Sequence, residues 1–509
     1  MRRVVWYVIP SDKSLLSAVG RGASGSDGGR SPVVSVDTVT ADGRRIEATV
    51  SYSDALRPFF DESPFYAEYG VDVSDLPESV LTIPVLAHVC PVAWAAGADV
   101  RVSTADRRFL DSLETVGRVL SEMYPFMEGG RVLVERAPEW NEQAPSGTDG
   151  ADDPAAVGDP GGAGGPAGAD GTGSPDGTGG PGGTGMLFTG GVDSLATYVR
   201  HREEDPTLIN VRGWLVGVDD DERWAHTRRR IAGYADRFGV DAQFVRSNML
   251  EFLDTAMLDA HYKPRHDGAW YSAVGCGLGL TGLCAPLAVA EGMDRLYLAA
   301  THWEGFPTAE RFEGWDGGAI PWGSDPAIDD EIAWAGTEVA HDAFEITRQE
   351  RVETVAEFLR ERSLDLPIRA CEVSATGSNC DRCEKCARTA LGLALAGADP
   401  NDHGFDVDAA TFGRARREIE AGNWLVDFHV LAYWLDLQAS VDPDASYPVA
   451  GVDAVADWLR TADLRAAAAR SGPPVSDRVV RAAARAVPAP VYARLSPAYD
   501  TVRELTPRS

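Results

Sequence analysis

Apolar segments alternate with amphipathic segments along the middle of the chain, from residue 185 to about residue 300. The apolar segments are short, as buried strands are, and the segments between them are compatible with the period of a helix. Strands that alternate with helices predict an α/β fold with a doubly wound parallel sheet, whose ligands lie beyond the carboxyl ends of the strands. The predicted strands are GMLFTG, GWLVGVD, AQFVRSN and RLYLAA, and the predicted helices end near Glu203, cover 224–238 and extend through Ala290.

Residues 1–144 show a different pattern, in which several short apolar runs surround one amphipathic helix at 107–123. Runs of this kind are typical of half-buried strands. We therefore expect a small α+β domain, in which Cys90 is a buried apolar residue. The strand-like runs are RVVWYVI, SPVVSVDTVT, RIEATVSY, SVLTIPVLAHV, GADVRVST and GRVLVER.

Residues 145–185 consist mostly of Gly, Pro, Ala, Asp, Ser and Thr and contain no aromatic residue. Such a segment cannot bury enough apolar surface to offset the entropy of ordering it, which predicts a disordered linker. Residues 396–509 have helical patterns. The expected layout is an N-terminal domain at 1–144, a linker at 145–185, an α/β domain at 186–395 and a helical C-terminal region at 396–509.

The 509-residue chain has 78 acidic and 47 basic residues and a formal net charge of −31. This composition resembles that of proteins from halophilic archaea, where molar salt screens the repulsion between surface carboxylates. It argues against nucleic acid as a partner, because that binding requires many Lys and Arg contacts. The N-terminal apolar run is too short for a signal peptide, and the apolar segment near 278–290 is too short to cross a membrane. We therefore expect a cytoplasmic protein without a membrane segment.

The first predicted strand of the α/β region leads into the sequence TGGVDS at 189–194. Two glycines let a ligand approach the backbone closely, and the N–H groups at the start of a helix attract anions. Thr189 and Ser194 add hydroxyl donors. The segment lacks the Lys-Ser/Thr pair of a P-loop and the third glycine of a dinucleotide-binding turn. It is therefore either a phosphate-binding loop of another kind or an ordinary connection between a strand and a helix.

Four of the seven cysteines fall within 371–386, with the spacing C-x8-C-x2-C-x2-C. Four thiolates at this spacing can surround one zinc ion and leave no coordination position for water, so the predicted zinc is structural. An iron–sulfur cluster uses the same four ligands and stays open, as do reduced or disulfide-bonded cysteines. The predicted ligands are Cys371, Cys380, Cys383 and Cys386.

The TGGVDS loop and the cysteine motif together resemble the N-type ATP pyrophosphatase (PP-loop) superfamily, and within it the proteins similar to 7-cyano-7-deazaguanine synthase. Thr189 stands where that loop has its first serine. The resemblance covers 186 to about 395. It implies an adenine nucleotide alpha-hydrolase-like (HUP) fold, cleavage of ATP to AMP and pyrophosphate, and a structural zinc.

By the same resemblance, the loop binds the β- and γ-phosphates of ATP, with Asp193 as the catalytic residue and Mg²⁺ as a bridging ion. Val218, which ends the second predicted strand, contacts adenine through its backbone. A carboxylate or carbonyl oxygen of a small substrate attacks the α-phosphate, and ammonia or another nucleophile then displaces AMP. The segment after LYLAAT differs from that of the deazaguanine synthases, which favours a related reaction on a different carboxylate. The implied loop residues are Thr189, Gly190, Gly191, Val192, Asp193 and Ser194.

Other polar residues near the predicted sheet edge have both a functional and a structural interpretation. The acids after residue 324 could bind magnesium with a nearby histidine, or belong to an acidic surface. Arg348, predicted on one helix with His341 and Asp342, could bind phosphate or a carboxylate, or form a surface salt bridge. These candidates are His302, Asp325, Asp329, Asp330, the basic cluster of Lys263, Arg265 and His266, and the core cysteines Cys276 and Cys284.

Two alternative functions remain beside the ligase or synthase. RNA sulfur transfer by a related pyrophosphatase requires a persulfide-carrying cysteine and a basic groove, whereas this chain is acidic and its clustered thiols are expected to bind metal. A nucleotide-binding scaffold without catalysis would bind ATP and not turn it over. The sequence leaves the substrate open, and it leaves a homo-oligomer open as well.

Overall fold

The computed structural model describes residues 5–6, 31–140, 182–262, 269–306, 322–371, 374, 377–424, 428–447, 449–470 and 491. Within these ranges the strands form one large mixed, mostly parallel sheet. The strands are β1 (Val5–Trp6), β2 (Val33–Asp42), β3 (Arg45–Tyr52), β4 (Phe65–Glu68), β5 (Asp99–Thr104), β6 (Val132–Arg136), β7 (Gly183–Leu187), β8 (Thr207–Arg212), β9 (Ala242–Ser247), β10 (Met293–Ala299), β11 (Ala333–Trp334) and β12 (Thr337–Asp342).

Helices cover the sheet and extend the chain beyond it. They are α1 (Glu78–Leu81), α2 (Ile83–Ala95), α3 (Arg107–Met123), α4 (Val192–His201), α5 (Asp221–Phe238), α6 (Thr255–Tyr262), α7 (Cys276–Ala290), α8 (Pro326–Asp329), α9 (Arg348–Arg362), α10 (Glu384–Leu395), α11 (Ala409–Glu420), α12 (Phe428–Ala439), α13 (Val452–Thr461) and α14 (Leu464–Arg470).

The second half of the sheet has the order β9-β8-β7-β10-β12, with every neighbour parallel. Met186 in the central strand β7 lies opposite Leu208 on one side and Tyr297 on the other. Because β7 is central, its carboxyl end lies in the middle of the sheet edge where ligands of such folds bind. The α/β prediction is confirmed for this half, and β7, β9 and β10 fall on three of the four predicted strands.

The two halves of the sheet meet where β4 pairs antiparallel with β9. Asn248 reinforces the junction, since its Oδ1 accepts a hydrogen bond from Tyr66 N at 2.8 Å and its Nδ2 donates to Pro64 O at 2.9 Å. Buried residues from both halves also belong to one hydrophobic core. Residues 1–144 and 186–395 therefore contribute to a single sheet, and most of the predicted linker lies outside the described residues.

Two predicted strands are wrong. The run SVLTIPVLAHV forms helices α1 and α2, and every residue of α2 is buried. A helix that is buried on all sides loses the apolar and polar alternation by which helices are recognised, so a short apolar run reads equally well as a strand. GWLVGVD lies after the second parallel strand, because β8 ends at Arg212 and the following residues form turns.

The apolar segment near 278–290 is longer than the sequence indicates. A π-helical turn at Tyr271–Gly275 continues into α7 despite Pro286, which gives a 20-residue apolar helix long enough to cross a membrane by length and composition. In this fold 89% of its most apolar window is buried inside the protein. A Cβ atom on Gly282 would come within 2.6 Å of Ala87 Cβ, so the glycine allows α7 to pack closely against α2.

A second core lies on the other face of the parallel strands. It combines residues of α4, α9 and α10 with residues of the later helices α11 to α14. The described part of the chain beyond residue 396 is helical, as its patterns indicate. This packing brings the first turns of α4, α9 and α10 close to the carboxyl end of β7.

Candidate nucleotide site and metal centre

The TGGVDS segment forms a tight turn between β7 and α4. Gly190 has a φ of +74°, and a Cβ atom there would lie 2.8 Å from the Tyr234 ring, so this position requires glycine on both grounds. Gly191 is the N-cap residue of α4 and provides no side chain to cap the helix. The first N–H groups of α4 therefore have no side-chain cap, as an anion-binding helix start requires.

The two predicted hydroxyl donors stabilise the turn itself. Ser194 Oγ donates to Gly191 O at 3.1 Å and accepts from Thr189 N at 3.3 Å. Thr189 Oγ1 lies 3.4 Å from Ser194 Oγ and accepts from Gly191 N at the same distance. These long hydrogen bonds leave the backbone of the turn in the shape of a cradle.

Asp193 lies in the first turn of α4 and pairs with two arginines of α9. Arg348 donates to its Oδ2, and Arg351 Nη1 lies 3.2 Å from its Oδ1. Burial by itself would raise the pKa of Asp193, but the positive charges of Arg348 and Arg351 outweigh it and hold the pKa below its ordinary value. The carboxylate is therefore ionised, and both of its oxygens accept hydrogen bonds from arginine.

Arg348 differs from its sequence-based description. His341 and Asp342 belong to strand β12, whereas Arg348 is the first residue of helix α9. The side chain of Arg348 is only 11% exposed, so its pair with Asp193 is a buried one and not a surface salt bridge. The sequence correctly indicated an anionic partner for Arg348 but not its identity.

A cleft of about 370 Å³ opens beside the turn, at the carboxyl ends of β7 and β8. This is the edge at which doubly wound sheets bind ligands. Asn210 in its wall donates to Phe188 O at 2.7 Å and thereby fixes the end of β7. Polar and aromatic side chains line the cleft, among them those of Thr189, Asn210, Trp214, Thr227, Arg230 and Arg369.

Arg230 is the most unusual side chain of the cleft. Its Nη1 donates to Gly377 O at 2.9 Å, while its buried Nε and Nη2 have no hydrogen-bond partner among the described residues. Burial and the nearby charge of Arg369 lower the pKa of Arg230 to about 10, which still leaves it protonated at neutral pH. A buried cation with unused donors is costly unless an anion completes it.

Val218 does not occupy the predicted position at a strand end. It follows β8 by several residues, and its carbonyl oxygen accepts hydrogen bonds from Arg212 and Arg246. Val216 lines the cleft instead. The placement of Val218 was wrong because the apolar run from Thr207 to Val218 is longer than the strand it contains.

The four predicted metal ligands lie together. Their sulfur atoms are all within 4.8 Å of one another, and Cys380 Sγ is 3.8 Å from Cys386 Sγ. Tetrahedral zinc with bonds of about 2.3 Å places its sulfur ligands about 3.8 Å apart, so the spacing fits the metal. A hydrogen bond from Cys386 lowers the pKa of Cys383 to about 5, which favours the thiolate form that binds metal. None of the seven cysteines forms a disulfide.

The cysteine cluster is connected to the cleft through Asn379. Its Oδ1 accepts from Ala370 N at 2.9 Å and from Cys371 N at 3.2 Å, and its Nδ2 donates to Ile368 O at 2.9 Å. These hydrogen bonds hold the backbone on both sides of Arg369, whose own N–H donates to Gly190 O at 2.9 Å. The metal centre and the glycine turn are thus joined by one short segment.

Comparisons with known proteins assign no family to this chain. No protein-family model, curated protein or solved structure matches it. The interpretation of the site therefore depends on its own geometry, which consists of the uncapped turn, the cleft with its buried arginine and the four thiols.

The remaining candidates form structural contacts. His341 Nδ1 and Asp329 Oδ2 are 2.7 Å apart and both side chains are almost fully buried, while Asp325 caps α8. Within the described ranges the four cysteines are the one group of three or more possible metal ligands. His302 stacks on His429 with ring centroids 4.9 Å apart, and burial lowers its pKa to about 3. Residues 263–268, with the predicted basic cluster, lie outside the described residues.

Sequence analysis missed most of the arginines and the asparagine that complete the site. Arg230 lies in the amphipathic helix α5, where RRR reads as a solvated face. Arg351 and Arg388 each follow another charged residue on a helix, and nothing in their sequence neighbourhood distinguishes them. Asn379 offered one signal, because it directly precedes a metal ligand.

Proposed function

We propose that this chain binds ATP at the glycine turn and the adjacent cleft, and that it adenylates a small carboxylate with release of pyrophosphate. The proposal includes the adenine nucleotide alpha-hydrolase-like identity of the parallel half. One observation carries it: Arg230, a buried cation with two unused donor nitrogens, lines a cleft at the uncapped start of α4. That combination requires an anion, and a nucleotide has the anionic and planar groups that fit it.

The nucleoside would lie in the cleft between the ends of β7 and β8. Trp214 and Asn210 offer an aromatic surface and a polar group there. The phosphates would lie over the N–H groups of the turn, where Arg230 and Arg369 approach from one side and the arginines of α9 from the other. A chain with a net charge of −31 has few such concentrations of positive charge.

The chemistry of this site would consist of positioning and charge neutralisation. A carboxylate oxygen of the substrate attacks the α-phosphorus, the bond between the α-phosphorus and the bridging oxygen breaks, and pyrophosphate leaves with its electron pair. Arginines around the turn would stabilise the charge that develops on the leaving group. Magnesium would accompany the nucleotide, and Asp193 would orient Arg348 and Arg351.

Zinc in the four-cysteine site would supply no catalytic step. With four protein ligands it has no open position, so its contribution is to folding and to the placement of Arg369 and of helix α10. Cys383 is the N-cap residue of α10 and Cys386 lies in its first turn, so the metal would fix where that helix begins.

A binding protein without catalysis is the second candidate. It is favoured by the ion pairs of Asp193, because neither carboxylate oxygen is free for a metal ion. Such a protein would retain ATP unchanged. RNA sulfur transfer is disfavoured, because the clustered thiols fit one metal ion and the chain is strongly acidic.

Calorimetric titration of the zinc-loaded protein with ATP and Mg²⁺, in molar KCl, tests nucleotide binding. Incubation with mixtures of small carboxylic acids, followed by assays for AMP and pyrophosphate, tests the reaction. Binding with acid-dependent AMP formation supports the proposal, while binding without turnover supports the binding protein. Absence of any nucleotide binding by the folded protein would refute both.

A further inference from the structure

A second cavity, of about 220 Å³, lies between α9, α10 and α12. It is smaller than the cleft beside β8 and adjoins the glycine turn through Arg348, which lines the cavity and also contacts Asp193. Its polar walls are formed by Arg348, Gln349, Arg388, Thr389, Tyr433 and Asp436.

Two cationic side chains of this cavity have capacity for an anion. Within the described residues, the guanidinium of Arg348 makes its hydrogen bond to Asp193 alone. Arg388 pairs with Glu384 at 2.7 Å and stacks over the ring of Tyr433 at 4.2 Å, which holds its guanidinium plane in place. Planar guanidinium groups match the geometry of carboxylates.

Thr389 supplies the observation that points to a ligand. Thr389 is only 3% exposed, yet its Oγ1 has no hydrogen-bond partner among the described residues. A buried hydroxyl without a partner is costly, and such groups are usually satisfied by a bound molecule or by water. Valine would fill the same space without this cost, so a hydroxyl here indicates a binding role.

The acidic residues nearby are committed to other partners. Asp436 Oδ2 accepts from Gln349 N at 2.7 Å in the first turn of α9, and Glu384 accepts from Trp434 Nε1 at 2.8 Å. Lys385 lies close enough to Asp193 to help lower its pKa, as do the two arginines of α9. Positive charge therefore exceeds the negative charge around the cavity, since four cations face three carboxylates: Arg348, Arg351, Lys385 and Arg388 face Asp193, Glu384 and Asp436.

We propose that this cavity binds the carboxylate group of a small organic acid, with Arg348 and Arg388 facing its oxygens and the Thr389 hydroxyl donating to one of them. The inference rests on the proposed function in one respect, because this acid would be the acceptor that ATP activates. Arg348 would then contact both the acid and the turn that holds the phosphates. The small volume favours an acid of few atoms over a drug-sized ligand of about 300 Å³ or more.

Trifluoroacetate is a suitable carboxylate probe, because its ¹⁹F resonance broadens and shifts on binding to the full-length zinc-loaded protein. We expect saturable binding by the wild type and binding at least 5-fold weaker in Thr389→Val. The melting temperature of Thr389→Val should equal or exceed that of the wild type, because the substitution removes an unsatisfied buried hydroxyl. A residue with a purely structural role would give a lower melting temperature and unchanged binding, which would overturn the proposal.

Thr354→Val is the matched control. Thr354 lies on α9, is exposed, and its hydroxyl donates to Glu350 O at 2.8 Å, so the same atoms change outside the cavity. Trifluoroacetate binding should be unchanged in this variant. Equal weakening in both threonine variants, or absence of binding by the wild type, would overturn the proposal.

Two further titrations separate this inference from the nucleotide proposal and from binding of phosphate. Arg230→Gln changes the nucleotide cleft, so it should leave trifluoroacetate binding unchanged while it weakens ATP binding. Trifluoroacetate binding by a protein that binds no ATP would retain the carboxylate site and refute the proposed function. Inorganic phosphate that displaces the probe at a lower concentration than acetate does would show that the cavity prefers phosphate, and would overturn the assignment to a carboxylate.

Discussion

Two buried arginines beside the same glycine turn have opposite surroundings. Arg351 donates to Asp193, to Ala300 O at 2.7 Å and to Ala343 O at 2.8 Å, and further carbonyl groups surround it. Arg230 donates to Gly377 O alone among the described residues. The comparison shows how structural cations differ from binding cations, since the first has its donors satisfied within the protein and the second keeps donors for a ligand.

Loss of the metal should have the largest effect, because the metal centre is connected to Arg230 and Arg369 but not to Arg351. We expect Cys380→Ser to lose zinc, to melt at a lower temperature and to bind ATP more than about 100-fold more weakly. Metal analysis, thermal unfolding and calorimetry measure the three effects. Cys284→Ala, which changes a core cysteine away from the cluster, should keep its zinc and its affinity for ATP. Full ATP affinity in the zinc-free protein would contradict the link through Asn379.

Replacement of the satisfied arginine should cost stability. Arg351→Met leaves Asp193 with one cation fewer and several buried carbonyl groups without their donor, so we expect a loss of about 3 to 5 kcal/mol in the free energy of unfolding. Denaturant unfolding measures this. Arg118→Met, at a pair with Glu122 on exposed helix α3, should change stability by less than about 1 kcal/mol. Similar small losses in both variants would remove the distinction drawn above.

Replacement of the unsatisfied arginine should act in the opposite direction. Arg230→Gln removes a buried cation whose pKa is depressed by burial, so the free energy of unfolding should rise by about 1 to 3 kcal/mol. The affinity for ATP should fall by about 10-fold to 100-fold, as expected for a lost hydrogen bond between charged groups. Unfolding and calorimetry on the same sample test both signs. Arg223→Gln, at a neighbouring pair with Asp220, is the control for ATP binding. A variant that loses stability and retains affinity would make Arg230 structural.

The smallest effect concerns a satisfied cation at the other end of α4. His201 lies between Asp342 and Glu204, at 2.9 Å from each; burial opposes its protonation, but these hydrogen bonds raise its pKa above the ordinary value. Its contribution to stability is therefore complete below about pH 6.5 and disappears as the pH rises through the higher folded-state pKa. We expect His201→Gln to remove about 1 kcal/mol of this pH-dependent stability, measured by unfolding between about pH 5 and 9. An unchanged pH dependence would contradict this role.

The parts of the molecule that follow from local pattern could be predicted. The parallel strands β7, β9 and β10, the amphipathic helix α3 and the grouping of the four cysteines all depend on short-range spacing. The pairing of β4 with β9 could not be predicted, because it joins strands far apart in the sequence. The same reason hid the partners of Asp193, since Arg348 and Arg351 reach it through the packing of α9 on α4.

Helices failed to be recognised where burial is complete. The apolar run of α2 has no polar face, so neither period is visible in it, and α7 has glycines and a proline that suggest an earlier end. Tertiary packing decides both cases. The strand before Val218 was placed too late for a related reason, because an apolar run fixes neither of its own ends.

The packing of α2 against α7 has a consequence for how the protein is made. Helix α2 leaves the ribosome long before the segment that covers it, and β4 must likewise wait for β9, so the newly made N-terminal half exposes an apolar helix and an open strand edge. Contacts so distant in sequence close slowly. Folding in the cell therefore requires a holding chaperone, or synthesis fast enough that the second half arrives before nascent chains associate.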